Sequence, residues 1–397
     1  MIFEAKTLRR VLARTGKGTA VTLTPCDSGA AVSVDGDITV ARYEIVAEST
    51  ENTFQPFRLD VSPAAALGRW LAKVPPGKLI TLKTPIPAAA VFTTNNGHRT
   101  PIPAAAVFTT NNGRSLLSLI SDKIEKDLPQ ASDYTPIITA PSAAFLAMLA
   151  GLDKLYKPNG ERCNDHALIT AHAGKVTAVV TDGHILALSG SGVVAPDLPE
   201  RPLLLPLAAL PALCELLKLA QGAVVLEASP DFLRFATPGA QISMTRGIGG
   251  FPDFAWILRR AAWRPESAMI PLTKTLESVE LAAADNKTGA VDFVFDRATL
   301  TLIGEGQAMP GKYKKGQWVA GPKAPFTVSL DGVQADEGFP TARLRRDIVG
   351  AVLKAFIARG AKTCTMTITK EEKIVRLASP DAPGLETFIA PMKGDSK

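Results

Sequence analysis

The segment GFPTARLRRDIVGAVLKAFIARGAKTCTMTIT, residues 338–369, reads as a short strand, an amphipathic helix and a second strand in which Thr alternates with larger residues. That order occurs twice before it. FRLDVSPAAALGRWLAKVPPGKLITLK fills 57–83 and LLLPLAALPALCELLKLAQGAVVLEAS fills 203–229, so the three copies stand roughly 130 to 145 residues apart. In the first copy Ser62 suits an N-cap and Pro63 the first helical position, where a missing N–H costs no hydrogen bond.

Each unit also holds an earlier helical pattern: EAKTLRRVLART at 4–15, SAAFLAMLAGLDKLYK at 142–157 and TKTLESVELAAAD at 273–285. What remains is short alternating strands with Gly, Asn and Asp turns, as in AAVSVDGDITVARYEI at 30–45 and AVDFVFDRATLTLIG at 290–304. The expected fold is therefore α+β, with three repeated units at 1–133, 134–262 and 263–397, each of about two helices packed on antiparallel sheets.

Composition is consistent with this. The chain has 397 residues, 46% hydrophobic and 21% charged, which suffices for packed cores in two or three domains. A formal charge of +6 favours a polyanionic partner, since clustered Lys and Arg release counterions from phosphates. Cys26, Cys163, Cys214 and Cys364 are widely spaced and form no CxxC pair, so they read as reduced thiols of a cytoplasmic protein. No apolar core follows the basic residues of the first 18 positions, which argues against a signal peptide. PLLLPLAALPALC at 202–214 is too short and too proline-rich to span a membrane.

A second, literal repeat lies in the first unit. TPIPAAAVFTTNNG occurs at 84–97 and again at 100–113, within a duplicated stretch at 84–115, and each copy predicts a strand ending in an Asn-Asn-Gly turn. A duplication tolerated in a surface loop or edge hairpin explains it.

Three short motifs invite a chemical reading. TDGHILAL at 181–188 sets Asp182 and His184 about Gly183 after the strand KVTAVV. Asp-Gly is the favoured centre of a tight hairpin, while acid–base work would need a third orienting group or a metal. His166 and His172 share one expected strand and one face of it, which keeps a metal site open. TRGIGGFPDF at 245–254 matches no phosphate-loop pattern and reads as a bend carrying an exposed apolar residue. GKYKKGQW at 311–318 reads as a solvated hairpin tip or, alternatively, a nucleic-acid contact.

TDGHILAL, GGFPDF and FIAPMKG (388–394) stand in the order and near the spacing of one family, and GFPTARLRRDIVGAVLKAF is similar to that family's last helix. The sequence resembles the bacterial DNA polymerase III β subunit, or sliding clamp, over about 142–393, and before that mainly by layout. The resemblance implies a head-to-tail homodimer of three-domain chains closing a ring around double-stranded DNA. It implies a non-enzymatic processivity factor, associated with the nucleoid, that tethers a DNA polymerase and clamp-loader peptides. No cofactor and no metal is implied.

By the same resemblance a partner-peptide cleft falls on Thr181, Gly183, His184, Ile185 and Leu186, with Pro252, Trp256 and Ile257. Its other side falls on Ile389, Ala390, Pro391, Met392 and Lys393. DNA-facing candidates are Arg10, Arg14, Arg69, Lys73, Lys154 and Lys157, then Lys218, Arg346 and Lys354. Subunit-contact candidates are Leu117 and Leu119 on one side and Ala283 and Ala284 on the other. Ile185 and Trp256 stand where the family carries basic residues, and Ala283 and Ala284 where it carries large aliphatic ones. Two other readings are a clamp-like protein that binds peptides without encircling DNA, and a metal-dependent hydrolase using Asp182, His184 and His172.

Overall fold

The computed structural model describes ten strands within residues 2–119 and, from residue 133, all of the chain except 156–164, 239, 248, 261, 284–288, 305–311, 315–316, 320–325 and 393–397. Both helices expected in the first unit lie outside the described residues. Helices α1 (Ser142–Leu149), α2 (Leu210–Leu219), α3 (Phe254–Arg260), α4 (Leu272–Ala282) and α5 (Arg346–Ala358) follow. The chain divides into two compact units, one of residues 1–142 with 215–246 and one of 143–214 with 247–397.

Every strand pairing among the described residues is antiparallel. In the first unit an eight-stranded sheet is assembled from two distant parts of the sequence, joined where Ala240–Thr245 pairs with Thr39–Val46 and Ile242 faces Ala41. A four-stranded sheet runs Ile2–Glu4, Leu79–Ile86, Ala105–Thr110, Ser115–Leu119. The two copies of the literal repeat behave differently. The second supplies Ala105–Thr110 inside this sheet, whereas the first supplies only the end of Leu79–Ile86 there and then Val91–Thr93, which among the described residues pairs with Arg99–Pro101 in a separate ribbon.

The second unit is built on a nine-stranded sheet that includes Lys175–Thr181, Ile185–Val194 and Leu385–Ile389 as neighbours. Lys175–Thr181 is buried at every position after its first, so both faces of this strand are covered. A four-stranded sheet in the order Phe326–Asp331, Thr299–Gly304, Ala290–Asp296, Ala342–Arg345 carries α4 and α5. Lys312–Lys314 and Gln317–Val319 form the hairpin expected of GKYKKGQW.

Two helices differ from their sequence patterns for local reasons. The apolar pattern from Ser142 runs on to Lys157, yet α1 stops at Leu149 and is followed by a single 3-10 turn, Leu152–Leu155. Gly151 breaks it: its φ is +81°, and a Cβ there would lie 2.5 Å from the Ala355 carbonyl oxygen of α5. Arg359, just past α5, then donates to the Ala150 and Met148 carbonyls at 2.7 and 2.8 Å and to Ser189 Oγ at 2.7 Å, satisfying carbonyls that the end of α1 leaves open. Burial lowers the Arg359 pKa to about 10, with Cys214 drawing it back up, so the guanidinium is charged at neutral pH. The helix in GFPTARLRRDIVG starts only at Arg346, because the short strand before it, Ala342–Arg345, pairs with Ala290–Asp296.

Candidate functional site

The TDGHILAL stretch closes the hairpin between Lys175–Thr181 and Ile185–Val194. Asp182 Oδ1 accepts the backbone N–H of His184 at 2.8 Å and of Ile185 at 2.7 Å, and Gly183 sits at φ +82°. Thr181 Oγ1 donates to the Ile185 carbonyl at 2.7 Å and accepts from Gly183 N at 3.2 Å. The Asp182 carboxylate is thus spent on shaping a turn, as Asx side chains commonly are. Among the described residues no group of three His, Cys, Asp or Glu side chains is placed to hold a metal. His172, at the end of its strand, stands edge-on to Phe254 with ring centres 6.1 Å apart.

Three segments distant in sequence meet beside this turn. Ile185 and Leu186 pair with Ile389 and Phe388, and beyond the strand Ala390 N donates to the His184 carbonyl at 2.8 Å. Met392 N donates to the Arg343 carbonyl at 2.9 Å, which fixes the chain just past Pro391. The third segment is α3, which sequence patterning missed because it has only seven residues. Its signal was present: Asp253 accepts Ala255 N and Trp256 N as an N-cap, and Phe254 and Leu258 recur at i and i+4. Phe251, Phe254 and Leu258 pack on a buried cluster of Val179, Leu186, Leu188 and Phe388. Phe251 is therefore partly buried, and Ile248, the other apolar residue before Phe254 in the expected bend, lies outside the described residues.

The result is a surface underlain by buried apolar residues. Ile185, Leu186 and Ile389 are buried, and Thr181 is nearly so. Gly183, His184 and Pro252 are exposed, Trp256 is 47% exposed, and Ala390, Pro391 and Met392 are half-buried. Ile257 lies in α3, and Lys393 lies outside the described residues.

Of the other candidates, Lys154, Arg346 and Lys354 converge on one groove of about 600 Å³ with Glu280 and Asp347. Lys218 lies on α2 and pairs with Glu215 at 3.0 Å. Arg10, Arg14, Arg69, Lys73 and Lys157 lie outside the described residues. Leu117 and Leu119 stand in Ser115–Leu119, the terminal strand of its sheet. Ala283 is wholly buried at the end of α4, so it offers this chain no outward surface, while Leu281 on the same helix is 57% exposed. Ala284 lies outside the described residues.

Antiparallel sheets carrying paired helices, with a hairpin, a short helix and the strand Leu385–Ile389 meeting on one apolar cluster, define a chain of the DNA-clamp fold class. More specifically, the chain has the fold of the DNA polymerase III β subunit. It aligns with that subunit from Pseudomonas aeruginosa at a TM-score of 0.70 and 12% identity, covering 99% of this chain and 100% of the other. The Thermotoga maritima subunit aligns at 0.71 and 12% identity, and the Caulobacter crescentus one at 0.66 and 14%, each over 99% of both chains. A Pseudomonas aeruginosa sliding clamp solved with bound griselimycin aligns at 0.69 and 13% identity, again over 99% of both chains. No protein-family model and no curated protein matches the sequence.

Proposed function

We propose that this protein is a sliding clamp: a homodimeric ring that encircles double-stranded DNA without sequence preference and tethers polymerase and loader peptides in the cleft beside His184. The observation that carries the reading is the likeness to solved DNA polymerase III β subunits over 99% of this chain and at least 99% of each of theirs.

The local chemistry supports it. An apolar floor rimmed by Trp256, Pro391 and Met392 suits a short hydrophobic peptide, with Met able to adapt to more than one sequence. Lys154, Arg346 and Lys354 supply positive charge on helical elements of one unit. Each four-stranded sheet ends in a strand with no neighbour on one side among the described residues: Ser115–Leu119 in the first unit and Phe326–Asp331 in the second. Two such edges, one from each end of the chain, suit head-to-tail pairing between copies. In this role the protein acts in the cytoplasm with no catalytic residue and no cofactor.

The test is topological. Loaded by an ATP-driven clamp loader, the protein is expected to stay on closed circular DNA through a salt wash and to be lost when the circle is cut. Equal retention on linear and circular DNA would replace the ring with ordinary basic binding. Peptide binding without any retention would make it a partner-binding protein that does not close on DNA.

A further inference from the structure

The groove of about 600 Å³ between the 3-10 turn Leu152–Leu155, α4 and α5 carries both signs of charge. Lys154 enters from the turn, Glu280 from α4, and Arg346, Asp347 and Lys354 from α5, while Gly350 and Ala351 form its small-residue floor. Its cations already have partners within the chain. Lys354 Nζ lies 2.9 Å from Glu280 Oε1, Lys154 Nζ lies 2.6 Å from Asp153, and Arg346 Nη1 donates to the Ala283 carbonyl at 2.8 Å. Asp347 is held by Arg345 at 2.7 Å and 3.1 Å.

We propose that Glu280 is a built-in competitor for Lys354 that weakens the contact of this groove with the phosphodiester backbone of duplex DNA. The inference rests on the DNA-encircling reading above. A site made for a compact anion would aim several donors at one point and keep carboxylates away. Here two carboxylates are interleaved with three cations from two elements, so the lining charge is only +1, and an arriving phosphate must displace Glu280 from Lys354. Both members of that pair are about half exposed, so the exchange is low in cost and reversible. A ring that slides needs such contacts: every phosphate held firmly is one that must be released at the next step along the duplex.

The test compares wild-type protein, Glu280→Gln, Lys354→Gln and the double variant on linear duplex DNA across 50 to 200 mM salt. Gln keeps the shape of Glu280 and removes its charge. Glu280→Gln is expected to bind about twofold to fivefold tighter at the low-salt end. Removing the carboxylate also raises the positive charge at the contact by one, so the salt dependence steepens and the gain should fall toward none at 200 mM. The double variant should bind like Lys354→Gln alone, because Glu280 acts through Lys354. Unchanged affinity and slope in Glu280→Gln overturns the proposal, as does an equal gain from Glu280→Gln in the Lys354→Gln background. Displacement of the duplex by micromolar inorganic triphosphate would assign the groove to a compact anion and also overturn it. Loader-dependent retention on circular DNA is measured in parallel. Retention with a silent Glu280→Gln leaves the clamp and removes the competitor; a tighter Glu280→Gln without retention in any variant keeps the groove and removes the ring.

Discussion

At the scale of single residues, Asp182 and His184 divide the work in a way their adjacency in sequence hides. Asp182 accepts two backbone N–H groups and so fixes the turn, while His184 is exposed and contributes its carbonyl to Ala390. Asp182→Asn retains the accepting oxygen and should leave turn and peptide binding nearly unchanged. His184→Ala should leave the fold intact and weaken binding of a short peptide containing Gln followed by Leu and Phe, and removing residues 390–397 should weaken it more. Losses of about 1–3 kcal/mol are expected, as for truncations at the centre of an interface. Calorimetric titration of the four proteins with one such peptide checks the ranking. Unchanged affinity in both His184→Ala and the shortened chain would reject the cleft, whereas loss of a measurable turnover in Asp182→Asn would point to acid–base chemistry.

At the scale of elements, the literal repeat is resolved by strand register. Leu79–Ile86 pairs with Ala105–Thr110, and Ile86 faces Ala105, so the first copy extends the tip of a hairpin that the second copy completes. Deleting residues 84–99 joins LITLK to TPIPAAAVFTT and puts Ile102 in the sequence place of Ile86. The shortened protein should therefore fold with a stability within about 1 kcal/mol of the parent, read from its denaturant midpoint. Loss of folding or of the dimer would show that the ribbon is part of a packed contact. The same comparison marks what sequence could reveal. The strand His166–His172 and the helix within TKTLESVELAAAD follow from periodicity because one face of each is buried, and Lys175–Thr181 follows from a short apolar run bounded by turn residues. The early end of α1 does not, because it depends on the approach of Ala355 to Gly151 from 204 residues away, and no local pattern encodes that contact. Nor does the burial of Ala283, which a surface reading of an Ala-rich helix end could not distinguish from exposure.

At the scale of the whole molecule, the proposed ring would require two copies to meet through surfaces that are stable when apart and adhesive when together. Phe326–Asp331 is the terminal strand of its sheet, Phe326 is 52% exposed, and α4 packs against that strand with Leu281 57% exposed. A strand edge with no partner among the described residues, beside two outward-facing large apolar residues, is an arrangement that soluble chains ordinarily avoid unless something covers it. By resemblance, Ala283 and Ala284 stand where the clamp family carries large aliphatic residues, but the exposed position is Leu281, so in the proposed ring the contact would shift by about half a helical turn to Leu281. Leu281→Lys should leave the chain folded, since an exposed helical position tolerates Lys. It should also weaken self-association by about tenfold to a hundredfold, the effect of losing a central apolar contact. Light scattering would then give a mass moving toward that of one chain, with loader-dependent retention on circular DNA lost and affinity for the cleft peptide unchanged, because that cleft lies on other elements. A dimer mass and circle retention that both survive Leu281→Lys would place the subunit contact elsewhere; peptide affinity falling in parallel would show instead that the variant had disturbed the fold.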